Sequence, residues 1–430
     1  MSQRLTALTI AAIVTLTAGC GLGGGEQSQA SKSIDTSGEI SGEVSFQTWS
    51  LKTGFKDYFE SLIKDFETKH PKVKINWVDQ PADHYADKIT SQITTKTLPD
   101  VINLPPEIAY SAAKAGALLD LRPSVSDLDD KYQKTALDAY SYSGVKGTYA
   151  FPWYLGTNVC FWNKELMSKG GLDPKKAPPK TLDELIEQAK ILHDKTDGSV
   201  TLMSRKPEIM DFSFAGVKIM DDEQKKFVFN TPESVAILDK YVAAYKAGYM
   251  PKNILSSEYL GNSELFKKEQ VAWTTAGGSF IAKVKESDPT LADKMVPSPN
   301  IGAAPLWAQG ISVNAAAKNS AAALTFAAFV TNEENQVNFT TKTTAKGFFP
   351  GSKGKQSTDI FNSSDGTPAQ DGPLMAWKAL PEARIAAPPL WTDAMRMYLD
   401  QQIADALTEK ISSKQALDNA VQKANSLLNY

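Results

Sequence analysis

Eight tryptophans, three histidines and two cysteines are the residues from which this 430-residue chain would build chemistry. The histidines, His70, His84 and His193, are scattered and read as surface or helix-flanking residues rather than metal ligands or general bases. Cys20 and Cys160 do not form a disulfide framework. Cys160 lies in Asn158-Val159-Cys160-Phe161-Trp162 and reads as a small buried hydrophobe. No Walker loop, Gly-rich dinucleotide turn, His-x-x-x-His pair, Cys-x-x-Cys or Gly-x-Ser-x-Gly elbow occurs, so neither cofactor nor metal is expected. Carboxylates are plentiful, but nothing singles out the facing pair that glycoside hydrolysis needs.

The tryptophans are more informative. Trp77 and Trp162 sit in strand-like alternation and are expected in the core, and Trp377 carries no assignment. Trp49, Trp153, Trp273, Trp307 and Trp391 instead sit where elements end beside Gly, Pro or small residues. An indole at such a place can present its face to a cleft. Sugar rings have C–H groups on their faces and hydroxyls on their rims. A site for them needs aromatic platforms beside carboxylates or amides that accept hydroxyl hydrogen bonds.

The elements that would position these residues follow from length and pattern. The chain suits two lobes of roughly 150–200 residues each. Its 42% hydrophobic content supports real cores, and a net charge of −3 argues against a nucleic-acid partner. Arg4 followed by the uncharged run Leu5 to Ala18 has signal-peptide length and is too short to span a bilayer. Its end, Leu16-Thr17-Ala18-Gly19-Cys20, resembles the bacterial lipobox, which implies a signal over 1–19, lipidation of Cys20 and a membrane anchor. Residues 20–43, rich in Gly, Ser and Gln, read as a tether with a mean reach of roughly 25–30 Å.

Val44 to Trp49 alternates as a strand, and Phe55, Phe59, Leu62, Ile63 and Phe66 form one helical stripe that His70-Pro71 ends. Val73, Ile75 and Trp77 form a second strand, and Val101-Ile102 starts a third. Strand, helix, strand, helix, strand implies a parallel α/β sheet. Capping signals at Thr181/Glu184, Thr231-Pro232, Thr331/Glu334 and Ser412/Gln415 open later helices. The last carries Leu417, Val421, Ala424 and Leu428 on one face. Residues 351–373 read as a polar loop.

In order, these segments resemble the extracellular sugar-binding proteins of ABC importers, the group that includes maltose- and maltodextrin-binding proteins. The resemblance runs over about residues 44–430. It rests on Ser45-Phe46-Gln47-Thr48-Trp49, on Phe66 to Ile75, on Leu98-Pro99-Asp100-Val101-Ile102 and on Pro152 to Leu166. It continues through Pro178 to Leu185, Leu390-Trp391-Thr392-Asp393-Ala394 and the closing helix. The resemblance implies a type II two-lobed periplasmic-binding-protein fold, α/β, each lobe a mostly parallel sheet flanked by helices, with hinged crossover strands. By analogy lobe one takes 44–152 and 312–352, and lobe two takes 153–311 and 353–430.

The same resemblance implies a non-enzymatic receptor that captures a mono- or oligosaccharide, such as an α-glucoside, and delivers it to permease subunits. A lipid-anchored monomer outside the cytoplasm is expected. Glu107 follows the third strand, where the family often places a hydroxyl-binding carboxylate, and Glu208 resembles a second-lobe carboxylate. Trp391 matches the stacking aromatic, and Trp153, Tyr154 and Asn158 lie at the crossover. In Ala272 to Phe280 a tryptophan is expected about where Ser279 stands, so Phe280 or Trp273 would serve there, and Gly277 of the same stretch is an expected ligand contact. Trp49 and Trp307 complete the expected ligand contacts. Gly156 and Leu104 also depart from the maltose binders, which carry a carboxylate and an aromatic there. Another polar solute, such as glycerol 3-phosphate or a polyamine, and an exported carbohydrate-active enzyme are the alternatives.

Overall fold

The structure, a computed structural model, describes residues 33–255, 261–343 and 347–428. The signal-like run, Cys20 and the first part of the expected tether lie outside these residues. Ten strands are assigned among the described residues. They are β1 (Gly42–Trp49), β2 (Val73–Gln80), β3 (Val101–Leu104), β4 (Phe151–Gly156), β5 (Asn158–Asn163), β6 (Trp273–Gly277), β7 (Met295–Ser298), β8 (Pro305–Val313), β9 (Phe349–Pro350) and β10 (Arg384–Ile385).

Two sheets result. The larger has the order β2-β1-β3-β8-β4-β9, with β10 beside the start of β8. Its first three strands are parallel, and β8 runs antiparallel between β3 and β4, so β4 points the same way as the first three. Helix Lys52–Lys69 covers one face, and it turns Phe59, Leu62 and Phe66 inward as the spacing predicts. Phe59 and Phe66 meet Phe46 and Phe326 at ring separations of 5.0–5.8 Å. These interlocked rings form the core of the larger half.

The smaller sheet, β6-β5-β7, is wholly antiparallel. The parallel arrangement expected for the second lobe is absent there. Strand β5 is buried along nearly its whole length, so it shows no alternation from which its neighbours' direction could be read. Helices Leu182–Lys195, Pro232–Lys246, Asp393–Leu407 and Ser413–Ser426 enclose the second core. Thr181, Thr231 and Ser412 cap three of them through their side-chain oxygens.

The chain leaves the larger sheet from β4 to β5 and from β9 to helix Pro368–Ala379, and it returns from β7 to β8 and then to β10. Only Thr157 separates β4 from β5. Trp153 and Trp307 therefore belong to strands of the larger sheet, although the sequence boundaries at 152/153 and 311/312 would give both to lobe two. Strands inserted between neighbours on both sides carry their hydrogen bonds with them, and this fixes their membership. Gln336, fully buried in helix Glu333–Lys342, binds two crossing segments at once. Its Nε2 donates to the Pro152 carbonyl at 3.1 Å, and its Oε1 accepts from the Gly351 and Ser352 amides at 2.6 and 3.2 Å.

Other expectations shift at their edges. The ordered body begins before Val44: Ser33 Oγ donates to Pro123 O, the Ile34 amide donates to Ser124 Oγ, and Ile40 is buried. Asn332, not Thr331, caps helix Glu333–Lys342, because the Thr331 hydroxyl donates back to Ala327 O and meets Tyr132. The stretch 351–373 contains helix Lys355–Phe361 and the start of Pro368–Ala379. Both bury little, which left no apolar stripe to read.

Trp153 does not face a cleft. It is wholly buried, 4.6 Å from the Phe339 ring and 5.8 Å from Phe59. Trp153→Ala is expected to cost about 3–5 kcal/mol of unfolding free energy. Urea denaturation reads this directly, and a loss below about 1 kcal/mol would contradict the packing role.

Candidate functional site

In an open α/β sheet, ligands gather beyond the carboxyl ends of the parallel strands. Here those ends carry Trp49 after β1, Asp83 and Tyr85 after β2, and Glu107 after β3. They form one wall of a groove of about 1110 Å³. The rear wall is Leu306 to Gln309 of β8, and the opposite wall is Pro388, Pro389, Trp391 and Asp393. The groove therefore has one side on each half of the molecule and its back on a shared strand.

Each wall residue is held in place. The Trp49 ring stacks on Tyr85 at 5.4 Å with an interplanar angle of 5°, and its Nε1 donates to Ala82 O at 3.2 Å. Tyr85 is in turn fixed by its hydroxyl, which donates to the Asn103 carbonyl at 2.9 Å. Asn103 Nδ2 donates to Gln309 Oε1 at 2.8 Å, joining β3 to the rear wall. Trp391 is wedged edge-on between Phe227 and Phe229 at 5.4 and 5.7 Å. Trp307 is 44% exposed, far more than a packing tryptophan needs.

Trp307 lies opposite Gly156 in the β4–β8 register. A Cβ at Gly156 would come within 3.3 Å of the Phe348 ring and 3.8 Å of Trp307 Cβ. A side chain at 156 would therefore meet the Phe348 ring first, and that ring would have to shift by a few tenths of an ångström.

Glu107 opens helix Pro106–Lys114. Its side chain reaches solvent, yet it stands within a concave wall. Crowding by protein raises its carboxyl pKa above the usual range, opposed by its own backbone amide and reinforced by the charge of Asp393. Desolvation disfavours the ionised form, and a second carboxylate adds to that.

The remaining sequence candidates separate. Asn158 and Trp273 border a second, smaller cavity of about 310 Å³ within the other half. Trp273 is almost fully buried there, 6.1 Å from Trp162, with the Arg205 guanidinium 6.0 Å from its ring centroid. Arg205 makes two 2.6 Å bonds to the Asp211 carboxylate. Glu208 lies just before helix Ile209–Phe214, its amide donating to Asp211 Oδ2 at 2.7 Å. It does not line the groove. Tyr154 packs on Trp153, Phe339 and Phe348. Phe280 packs on Phe161 and Phe266. Gly277, at the exposed end of β6, pairs with Asn158. Trp77 is half-buried against Phe59, and Trp377 packs on Phe349 and Phe361. Of the expected contacts, Trp49, Glu107, Trp307 and Trp391 share one groove.

Comparison with known proteins places this arrangement. The family model for bacterial extracellular solute-binding proteins matches residues 61–369, well over half of the chain. The chain belongs to that family. This solute-binding protein is 26% identical over 196 residues to the diacetylchitobiose binding protein DasA of Streptomyces coelicolor, covering 45% of this chain and 44% of that one. It is 29% identical over 149 residues to the arabinooligosaccharide-binding protein of Bacillus subtilis, covering 33% and 34%. The matched stretches thus span less than half the length of these two relatives. Its fold is similar to that of a Synechococcus sp. MITs9220 protein described as an oligosaccharide periplasmic-binding protein. That match has a TM-score of 0.76 and 23% identity, and covers 89% of this chain and 98% of the other. The two-lobed architecture is therefore that of the periplasmic-binding proteins. Among the described residues, no helix is long and apolar enough to cross a membrane.

Sequence reasoning missed Asp83, Tyr85, Gln309 and Asp393. The first two follow the end of β2 as Glu107 follows β3, so the rule that ligands gather beyond the carboxyl ends of parallel strands would have found them. Asp393 stands two places after Trp391.

The raised Glu107 pKa has a signed consequence. A carboxyl whose folded pKa is raised costs stability at high pH, and the cost disappears as pH falls below the usual carboxylate pKa. Glu107→Gln is therefore expected to melt above the parent at pH 7 and equal to it at pH 3. A melting temperature at pH 7 below the parent's would mean that the carboxylate supports the fold.

Proposed function

We propose that this protein is the receptor of an ABC importer, capturing an oligosaccharide in the groove between its halves and delivering it to membrane permease subunits. The observation that carries the reading is the convergence of Trp49, Trp307 and Trp391 with Glu107 around one groove. Indoles offer flat apolar faces and the carboxylate accepts hydroxyl hydrogen bonds, which is the pairing that a sugar ring requires. The relatives' names, with diacetylchitobiose and arabinooligosaccharide among their ligands, support a sugar.

In this reading the lobes meet near Thr157, 299–304 and 351–354. A ligand touching Trp49 and Glu107 on one lobe and Trp391 on the other favours the closed state by its differential contacts. The permease reads closure, and the sugar leaves unaltered. A phosphate-bearing ligand such as glycerol 3-phosphate is disfavoured, since carboxylates rather than cations surround the groove. In the alternative reading, an exported carbohydrate-active enzyme, Glu107 and Asp393 on opposite walls would have to act as the carboxylate pair. Incubation with oligosaccharides and analysis for shortened products separates these two.

We place the protein outside the cytoplasm as a monomer, anchored through lipidated Cys20. Cys20→Ala is expected to move it from the membrane fraction to the soluble fraction of cells. Retention with membranes would refute the anchor.

A thermal-shift screen over mono-, di- and oligosaccharides identifies the ligand, because binding only the native state raises its stability. With that ligand, Trp391→Ala is expected to weaken affinity by one to two decades, about 1–3 kcal/mol for lost ring contact. Calorimetry that finds parental affinity would reject the stacking role.

A further inference from the structure

We infer that the groove is selective for sugars carrying a protonated amine, such as glucosamine oligomers, over their neutral counterparts. This rests on the sugar-binding reading and names the ligand class within it. The charged side chains that line the groove, among the described residues, are Asp83, Asp87, Glu107 and Asp393; no Lys or Arg lines it. Asp393 has a permanent counter-charge, and Asp87 has a histidine neighbour, His84, that also lines the groove. Asp87 lies 3.2 Å from His84 Nδ1, and Asp393 lies 3.1 Å from Nε of Arg396, which stands outside the lining. Asp83 and Glu107 make no ion pair among the described residues.

Helix N-termini offset part of this charge, since Glu107 and Asp393 each occupy a first turn. Asp83 precedes its helix and is not neutralised in this way. The acids are also mutually unfavourable, because the Asp393 charge opposes ionisation of Glu107. A cation placed between them would relieve that repulsion.

The indoles reinforce the same preference. Tryptophan is the best aromatic partner for an ammonium group, and Trp49, Trp307 and Trp391 bring three to the groove. A neutral sugar can also donate hydroxyl bonds to these carboxylates. An ammonium adds its own positive charge to that bond, which a hydroxyl cannot. A uronate or phosphate would meet like charge on both walls.

The test is calorimetric titration of the full chain with β-1,4-linked dimers and trimers of glucose, N-acetylglucosamine and glucosamine, and with the α-1,4 glucose trimer. The three β-linked series differ at one substituent. The titrations are run at pH 6, below the range of about 7.7–8.0 in which α-amino groups titrate. The glucosamine oligomers are expected to bind about tenfold more tightly than any neutral oligomer, with the margin narrowing at high salt. Asp83→Asn and Glu107→Gln, each confirmed folded by circular dichroism, are expected to lower the affinity of the amine sugars more than that of the neutral ones and so to remove most of that margin. Equal or tighter binding of any neutral oligomer overturns the amine selectivity and leaves the sugar reading standing. A margin that survives both substitutions also overturns it. Binding of none of these sugars removes both.

Discussion

A fully buried amide ties together two segments of the larger half from which the chain leaves for the other. Gln336 spends both ends of its side chain on backbone, donating to Pro152 O beside β4 and accepting from the Gly351 and Ser352 amides beyond β9. These are two of the segments through which the chain passes from one sheet to the other. Buried backbone groups that lack partners cost free energy comparable to a lost hydrogen bond. A shift of one crossing against the other would therefore strip several groups at once. The chain returns through β8, which is hydrogen-bonded to β3 on one side and β4 on the other. Bending is left to the short connections, of which the buried Thr157 is the tightest. The groove has a stiff back and two walls that can approach each other.

Where a periodic stripe faces a single core, the sequence was readable. Phe59, Leu62 and Phe66 sit as their spacing requires, and β1, β2 and β3 pair in the parallel order that alternating strands and helices imply. Legibility failed where burial is two-sided or slight. Val159 to Asn163 of β5 is buried on both faces and carries no period. Helix Lys355–Phe361 buries almost nothing, so its composition resembles a loop. The one-residue displacement at Thr331 has a different cause. Tyr132, distant in sequence, engages its hydroxyl and leaves capping to Asn332.

The site was half legible for a related reason. An indole beside Pro or Gly signals the end of an element, which places it near an edge but does not say what covers it. Trp153 follows Pro152 and Trp391 follows Pro388-Pro389 at similar distance, yet their fates differ. Phe59 and Phe339 close over Trp153, whereas Trp391 is held edge-on by Phe227 and Phe229 at the groove. These neighbours are long-range in sequence, so only the assembled fold distinguishes the two residues. Trp307 is exposed because Gly156 stands opposite it, a pairing set by register alone.

The distribution of the indoles bears on how recognition and motion are coupled. Trp49 is braced on the half that carries β1, Trp391 on the other half, and Trp307 on the strand between. A ligand resting on Trp49 alone would bind open and closed forms equally and would shift nothing. Contact with both outer indoles gives the closed form an advantage that the open form cannot match. The carboxylates act in the same direction, since Glu107 and Asp393 stand on opposite walls and the Asp393 charge raises the Glu107 pKa. Closure without a guest brings them nearer and is electrostatically costly. A guest that donates to both removes that cost. In the proposed reading, charge disfavours closure of the empty groove, and a ligand that touches both walls supplies the contacts that favour it.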